Sequence, residues 1–114
     1  MTHSGTMRCD DVRQWRRRMR AALASATAFE IHCWNEEAAA IALALQVGRI
    51  KDTSWRWGTV IAGPVNAHFK AWLLALPKPA DSGPYDNRAP FFSIFLDNGF
   101  GSEHYGTALT QSTP

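Results

Sequence analysis

Cysteine is scarce in this 114-residue sequence: Cys9 and Cys33 stand alone, with no C-x-x-C pair and no histidine at finger-like spacing. That leaves no disulfide framework beyond a single Cys9–Cys33 bridge and no structural zinc site, and it points to a reducing compartment, the cytoplasm. Long apolar runs are missing too. No stretch reaches the ~18 consecutive apolar residues that a membrane-spanning helix needs, so no membrane partner is expected. Six prolines and eight glycines are ordinary usage, against a collagen-like or wholly disordered chain. There is no G-x-S-x-G, no H-E-x-x-H and no Walker glycine loop, and Gly99, Gly101 and Gly106 do not follow the dinucleotide fingerprint. No cofactor or metal is assigned on these residues.

What is present fits one domain. The length suits a single body, 46% of residues are hydrophobic, and five tryptophans are a heavy aromatic load for its size. The formal charge of +2 hides a split. Within residues 1–20, six arginines against two aspartates leave +4, while the other 94 residues carry six basic and eight acidic side chains, a sum of −2. A mildly acidic body follows a basic leader.

Periodicity orders the elements. Val12, Trp15, Met19, Ala22 and Ala26 recur at helical steps, with Arg13, Arg16, Arg17 and Arg20 mainly on the opposite side and Asp10 or Asp11 placed to cap. An export signal ending at Ala26-Thr27-Ala28 is a minor alternative for this segment, against which stand two acids and a stretch poor in leucine. Phe29 to Trp34 alternates as a half-buried strand. Asn35 is placed to cap a helix with Glu36 and Glu37 in its first turn, an all-apolar run over 38–45, and Gly48 as its stop. That run is expected to pack on a sheet or to form a homodimer face. Trp57 to Ala62 reads as a second strand, and Pro64 opens a helix striped by Val65, Phe69, Trp72, Leu73 and Leu76 that Pro77 ends. After a proline-rich loop, Phe91 to Leu96 is a strand apolar on both faces, hence central.

The expected fold is a small α+β or α/β sandwich in one domain, ordered α-β-α-β-α-β, with three or more strands and helices packed on the sheet. Alternating strands and helices favour a partly parallel sheet, and short extra strands can lie within Lys51–Arg56 or Phe100–Leu109. Residues 10–106 form the body; 1–9 are a flexible start and 107–114 a frayed tail.

Four sets of residues carry the functional alternatives. Trp55, Arg56 and Trp57, with Tyr85 in the proline loop, have the composition of an interface centre. The plainer reading has Trp57 filling core while Trp55 covers its edge. Arg13, Arg16, Arg17 and Arg20 form a basic patch suited to nucleic acid or an acidic partner, or simply a solvated helix face. If the strands are parallel, their carboxyl ends gather Glu37, His68, Asp97 and His104 as an acid/base cluster; otherwise these are capping and turn residues. Glu30 and His32 point the same way from one strand, as a catalytic pair or a polar strand face. Small size and the lack of catalytic motifs favour a non-catalytic domain that sequesters a partner protein, of the inhibitor or toxin-immunity kind. Nucleic-acid binding by the basic helix and a small enzyme at the strand ends are the alternatives.

Overall fold

The computed structural model describes residues 3–77 and 87–113. Among them the chain runs β1 (His3–Arg8), α1 (Val12–Leu23), β2 (Ala28–Trp34), α2 (Ala38–Ala44), β3 (Arg49–Lys51), β4 (Gly58–Pro64), α3 (Ala67–Ala75), β5 (Ser93–Leu96), β6 (Phe100–Glu103) and β7 (Ala108–Thr113). The strands form one sheet in the order β1-β7-β6-β5-β2-β4-β3, and every neighbouring pair is antiparallel. The α+β class holds. The order α-β-α-β-α-β and the partly parallel pairing do not.

The reason is the split crossover. Each helix links two strands that run the same way: β1 to β2 through α1, β2 to β3 through α2, β4 to β5 through α3. One oppositely directed strand lies between β2 and β3 and one between β4 and β5, while β7, β6 and β5 lie between β1 and β2, so the parallel partners never touch. Crossovers of one hand put all three helices on one face, because β4–α3–β5 runs in the reverse direction and also steps the reverse way across the sheet. The extra strands, β3, β6 and β7, fall in or beside the two segments named for them, and β1 precedes the first helix. Residues 3–8 and 108–113, expected to be flexible and frayed, pair with each other along their length, Arg8 with Ala108 and His3 with Thr113. Both are polar strands at the thin end of the sheet, and their backbone bonds rather than an apolar alternation define them.

Strand alternation decides what each face does. Phe29, Ile31 and Cys33 of β2 share a face with Ile61 and Ile94 across the ladders, and all five are buried. On that face α1 buries Trp15, Met19 and Leu23 at four-residue steps, and α3 buries Phe69 and Leu73. Phe69 stacks on Phe29 with ring centroids 3.9 Å apart, and the Trp15 indole N–H donates to the Ser102 hydroxyl at 2.9 Å. That bond satisfies the one polar group Trp15 carries into the core.

Local signals act as expected in two helices and differently in the third. Asp11 caps α1 by accepting from the Gln14 N–H, and Asn66 caps α3 by accepting from Phe69. Pro64 is the last residue of β4 rather than the first of α3, a strand end where no further N–H is needed. Asn35 does not cap α2, which begins at Ala38. Its side chain accepts from the Thr59 hydroxyl and donates to the Arg56 carbonyl, and Glu37 occupies the cap position. Gly48 follows the helix by four residues; a Cβ there would lie 2.7 Å from the Ala62 carbonyl oxygen, so glycine lets this link press onto β4. No helix among the described residues is long and apolar enough to cross a membrane.

Candidate functional site

The other face of the sheet carries no helix among the described residues, and polar and aromatic side chains alternate onto it around a buried Val60. Glu30, His32 and Trp34 project from β2, beside Lys51 of β3 and Phe95 of β5. The Lys51 ammonium donates to Glu30 Oε2 at 2.5 Å, and His32 Nε2 lies 3.0 Å from Glu30 Oε1. These two partners hold the Glu30 carboxyl below its ordinary range, the Lys51 hydrogen bond contributing most. The shared outward direction of Glu30 and His32 is thus realised as a charge-relieved polar pair on an open face.

Around that pair runs a ridge of rings. His32 meets Phe95 edge-on at 4.9 Å and Trp55 at 5.7 Å. Trp55 meets Trp34 at 5.2 Å, Trp34 meets Phe92 at 4.8 Å, and Phe92 meets His104 at 5.8 Å. Trp55 reaches the ridge because the loop between β3 and β4 folds back over Gly58, where any Cβ would collide with the indole. Asn35 fixes the base of that loop, its N–H donating to the Trp57 carbonyl at 3.1 Å. The loop then throws Trp57 outward. It is 65% exposed, with the Arg56 guanidinium 5.2 Å from its ring centre, a cation–π distance. The plainer reading therefore fails for Trp57, which stands in solvent rather than in the core, while Trp55 is half-buried against the open face. Tyr85 lies outside the described residues.

The strand-end cluster does not assemble. Antiparallel pairing of β5 and β6 puts Asp97 at one end of the sheet and His104 at the other, separated by ~13 Å of strand. Asp97 accepts from the Thr27 N–H at 2.8 Å and from the Thr27 hydroxyl, contacts that keep its carboxyl below the ordinary range. His68 lies exposed in the first turn of α3, after the β4 end that pairs with Ala28. Glu37 sits at the opposite end, where Oε1 accepts from the Trp34 N–H at 2.8 Å and Oε2 from the Tyr105 hydroxyl at 2.9 Å. Burial and that carboxylate push the Tyr105 phenol up to about 12. Glu37 and Asp97 are thus spent on separate structural hydrogen bonds at opposite ends of the sheet. Among the described residues no three His, Cys, Asp or Glu side chains lie close enough to hold a metal ion.

The two cysteines are free and buried. Burial first and Glu37 second push the Cys33 thiol up to about 12, so at neutral pH it is a small apolar side chain rather than a nucleophile.

Of the basic patch, Arg16 turns inward, its guanidinium donating to the Leu76 carbonyl at 2.9 Å and so tying α1 to the end of α3. Arg13, Arg17 and Arg20 are exposed, with no acidic partner among the described residues. Sequence reasoning missed Trp34, Phe92 and Phe95 as partly exposed aromatics and Lys51 as the partner of Glu30. For Trp34 the signal was available, since the β2 alternation sets it outward with Glu30 and His32.

No protein-family model, curated protein or solved structure matches the chain.

Proposed function

We propose that this chain is a non-catalytic protein-binding domain that sequesters its partner on the uncovered sheet face, with Trp57, Arg56 and Trp55 at the centre of contact. The observation that carries the reading is Trp57, 65% exposed beneath the Arg56 guanidinium, in the same loop that lays Trp55 on the half-buried aromatic ridge. Tryptophan and arginine presented together are the side chains that dominate protein interfaces, and an apolar ridge beside the Glu30–Lys51 pair matches a core-and-rim arrangement. The rings also speak against stacked bases on this face. His32, Phe95, Trp34 and Trp55 meet one another at 38° to 66°, so they interlock by their edges instead of offering parallel platforms. Within this reading the inhibitor or toxin-immunity class and a cytoplasmic site of action remain the finer expectation, supported by small size and two buried thiols.

The test is co-purification of the tagged chain from cells of its own source. One protein is expected at fixed stoichiometry with the parent and with the triple variant Arg13→Ser, Arg17→Ser, Arg20→Ser, and lost with Arg56→Glu, Trp57→Ala. A partner retained by that double variant, or no stoichiometric partner at all, overturns the reading.

A second reading rests on Arg13, Arg17 and Arg20, whose exposure without acidic partners is what a polyanion-binding helix needs. It predicts retention on heparin at low salt that the triple serine variant abolishes.

A further inference from the structure

The two edges of the sheet are built differently. β3 closes one edge with three residues, and Arg49 and Lys51 flank its single apolar side chain, Ile50. A short strand bracketed by cations is a common guard against strand addition. β1 closes the other edge with six residues, pairs only with β7, and carries no charge or proline between Ser4 and Met7. Nothing lies within 4 Å of where a Cβ on Gly5 would stand. The outer N–H and C=O groups of β1 face no strand among the described residues.

Beside this edge, on the helical side, lies a groove of about 530 Å³. Met7, Ala21, Ala22, Phe100 and Leu109 supply its apolar lining, and Arg18 reaches into it from α1. Met7 is 37% exposed, so the groove is open where β1 ends. Arg18, like Arg17 and Arg20 beside it, is exposed and has no acidic partner among the described residues.

We propose that the edge of β1 takes up an extended segment of a partner protein as an eighth strand, with apolar side chains in the Met7–Phe100–Leu109 groove and a carboxylate on Arg18. Backbone pairing supplies affinity at such an edge, and the pockets for alternate side chains supply selectivity. Charge complementarity selects the occupant. A second copy joined β1 to β1 would bring two grooves that each hold Arg18 face to face, with no carboxylate among the lining residues to relieve them. An acidic segment relieves that charge.

The probe is an end-blocked, fluorescein-labelled peptide of threonine alternating with valine and glutamate, so that valine and glutamate share one face. Anisotropy is read against the full chain, with amide chemical shifts to locate the site. Saturable binding is expected, with shifts confined to residues 5–8 and 109–111 and the facing turn of α1. The same peptide with lysine for glutamate, or with a central proline, binds at least tenfold more weakly. Arg18→Glu and Met7→Lys, both at exposed positions, each weaken binding at least tenfold, while Trp57→Ala leaves it unchanged, which separates this site from the aromatic face. No saturable binding, or binding indifferent to Arg18→Glu, overturns the proposal. So does sedimentation of the peptide-free chain as a dimer that Met7→Lys dissociates, because a second copy then occupies the edge.

Discussion

Trp15 and Trp57 are the same side chain in opposite settings, one under a helix against the sheet and one on a loop in solvent. Trp15 is 2% exposed, donates its indole N–H to Ser102 and packs in the layer that holds α1 to the strands. Trp57 is 65% exposed, lies under an exposed guanidinium rather than in the core, and its backbone carbonyl accepts from the Asn35 N–H. The difference separates a residue that the fold requires from one the fold merely carries. Two substitutions test it. Trp15→Ala is expected to cost ~3–5 kcal/mol, the range for emptying an aromatic core site, and to leave the Ser102 hydroxyl unpartnered. Trp57→Ala is expected to shift stability by no more than ~0.5 kcal/mol, as for ordinary surface positions. Urea unfolding of both variants checks this pair, and comparable losses would break the contrast.

Gly58 stands where the two sides come closest to each other in character, because a glycine in a strand lets Trp55 lie against the open face. Gly58→Ala forces the indole off the ridge. A cost of ~1–3 kcal/mol is expected for that overpacking, together with a changed tryptophan emission as Trp55 enters solvent. Retained emission at parental stability would mean that Trp55 does not rest there.

How much of this was legible depends on which forces act locally. The outward set of β2, the caps at Asp11 and Asn66, and the central, doubly apolar character of β5 are written in neighbouring residues. Of the expected shared strand directions, that of β4 and β5 across α3 holds, whereas 29–34 and 57–62 run oppositely because β3 intervenes after α2. What local pattern does not reveal is that β4 inserts between β2 and β3, and β2 between β4 and β5. That choice is made by long-range pairing, and it dispersed Glu37, His68, Asp97 and His104. β1 and β7 escaped for a related reason: His-Ser-Gly-Thr-Met-Arg and Ala-Leu-Thr-Gln-Ser-Thr lack an apolar alternation, and only their mutual ladder makes them strands. The Trp55-Arg56-Trp57 segment was recognisable by composition, but which ring turns outward follows from Gly58 and Asn35.

Titration offers a gentler comparison of the two sides. At the covered end, burial holds Cys33 and Tyr105 protonated up to about pH 12, above their ordinary values of 9.0 and 10.0. The unfolded chain therefore releases these protons first as pH rises. Their contribution to stability is complete below about pH 9 and is lost progressively towards pH 12. Alkaline unfolding should begin in that window. Burial is the larger cause for both groups and Glu37 the second, so Glu37→Gln should let the tyrosinate absorbance of the folded variant emerge at lower pH than in the parent. An unchanged Tyr105 titration would show that burial alone sets it.

On the uncovered side the same logic runs towards acid, and the effect is smaller. Lys51 and His32 depress the Glu30 carboxyl, so the folded chain keeps this site ionised at a pH where the unfolded chain takes up a proton. The stabilisation is therefore present above the ordinary carboxylate range and fades as pH falls through the folded value. Lys51 is half-exposed and Glu30 about one-third exposed, so water screens the pair, and ~0.2–1 kcal/mol is the expected contribution. Lys51→Met should flatten the acid limb of the stability curve by that amount and leave the alkaline limb untouched, because Lys51 does not face Glu37 or Tyr105. If Lys51→Met instead moved the alkaline limb, the two faces of the sheet would be electrostatically coupled through β2, and the separation drawn between Trp15 and Trp57 would not extend to charge.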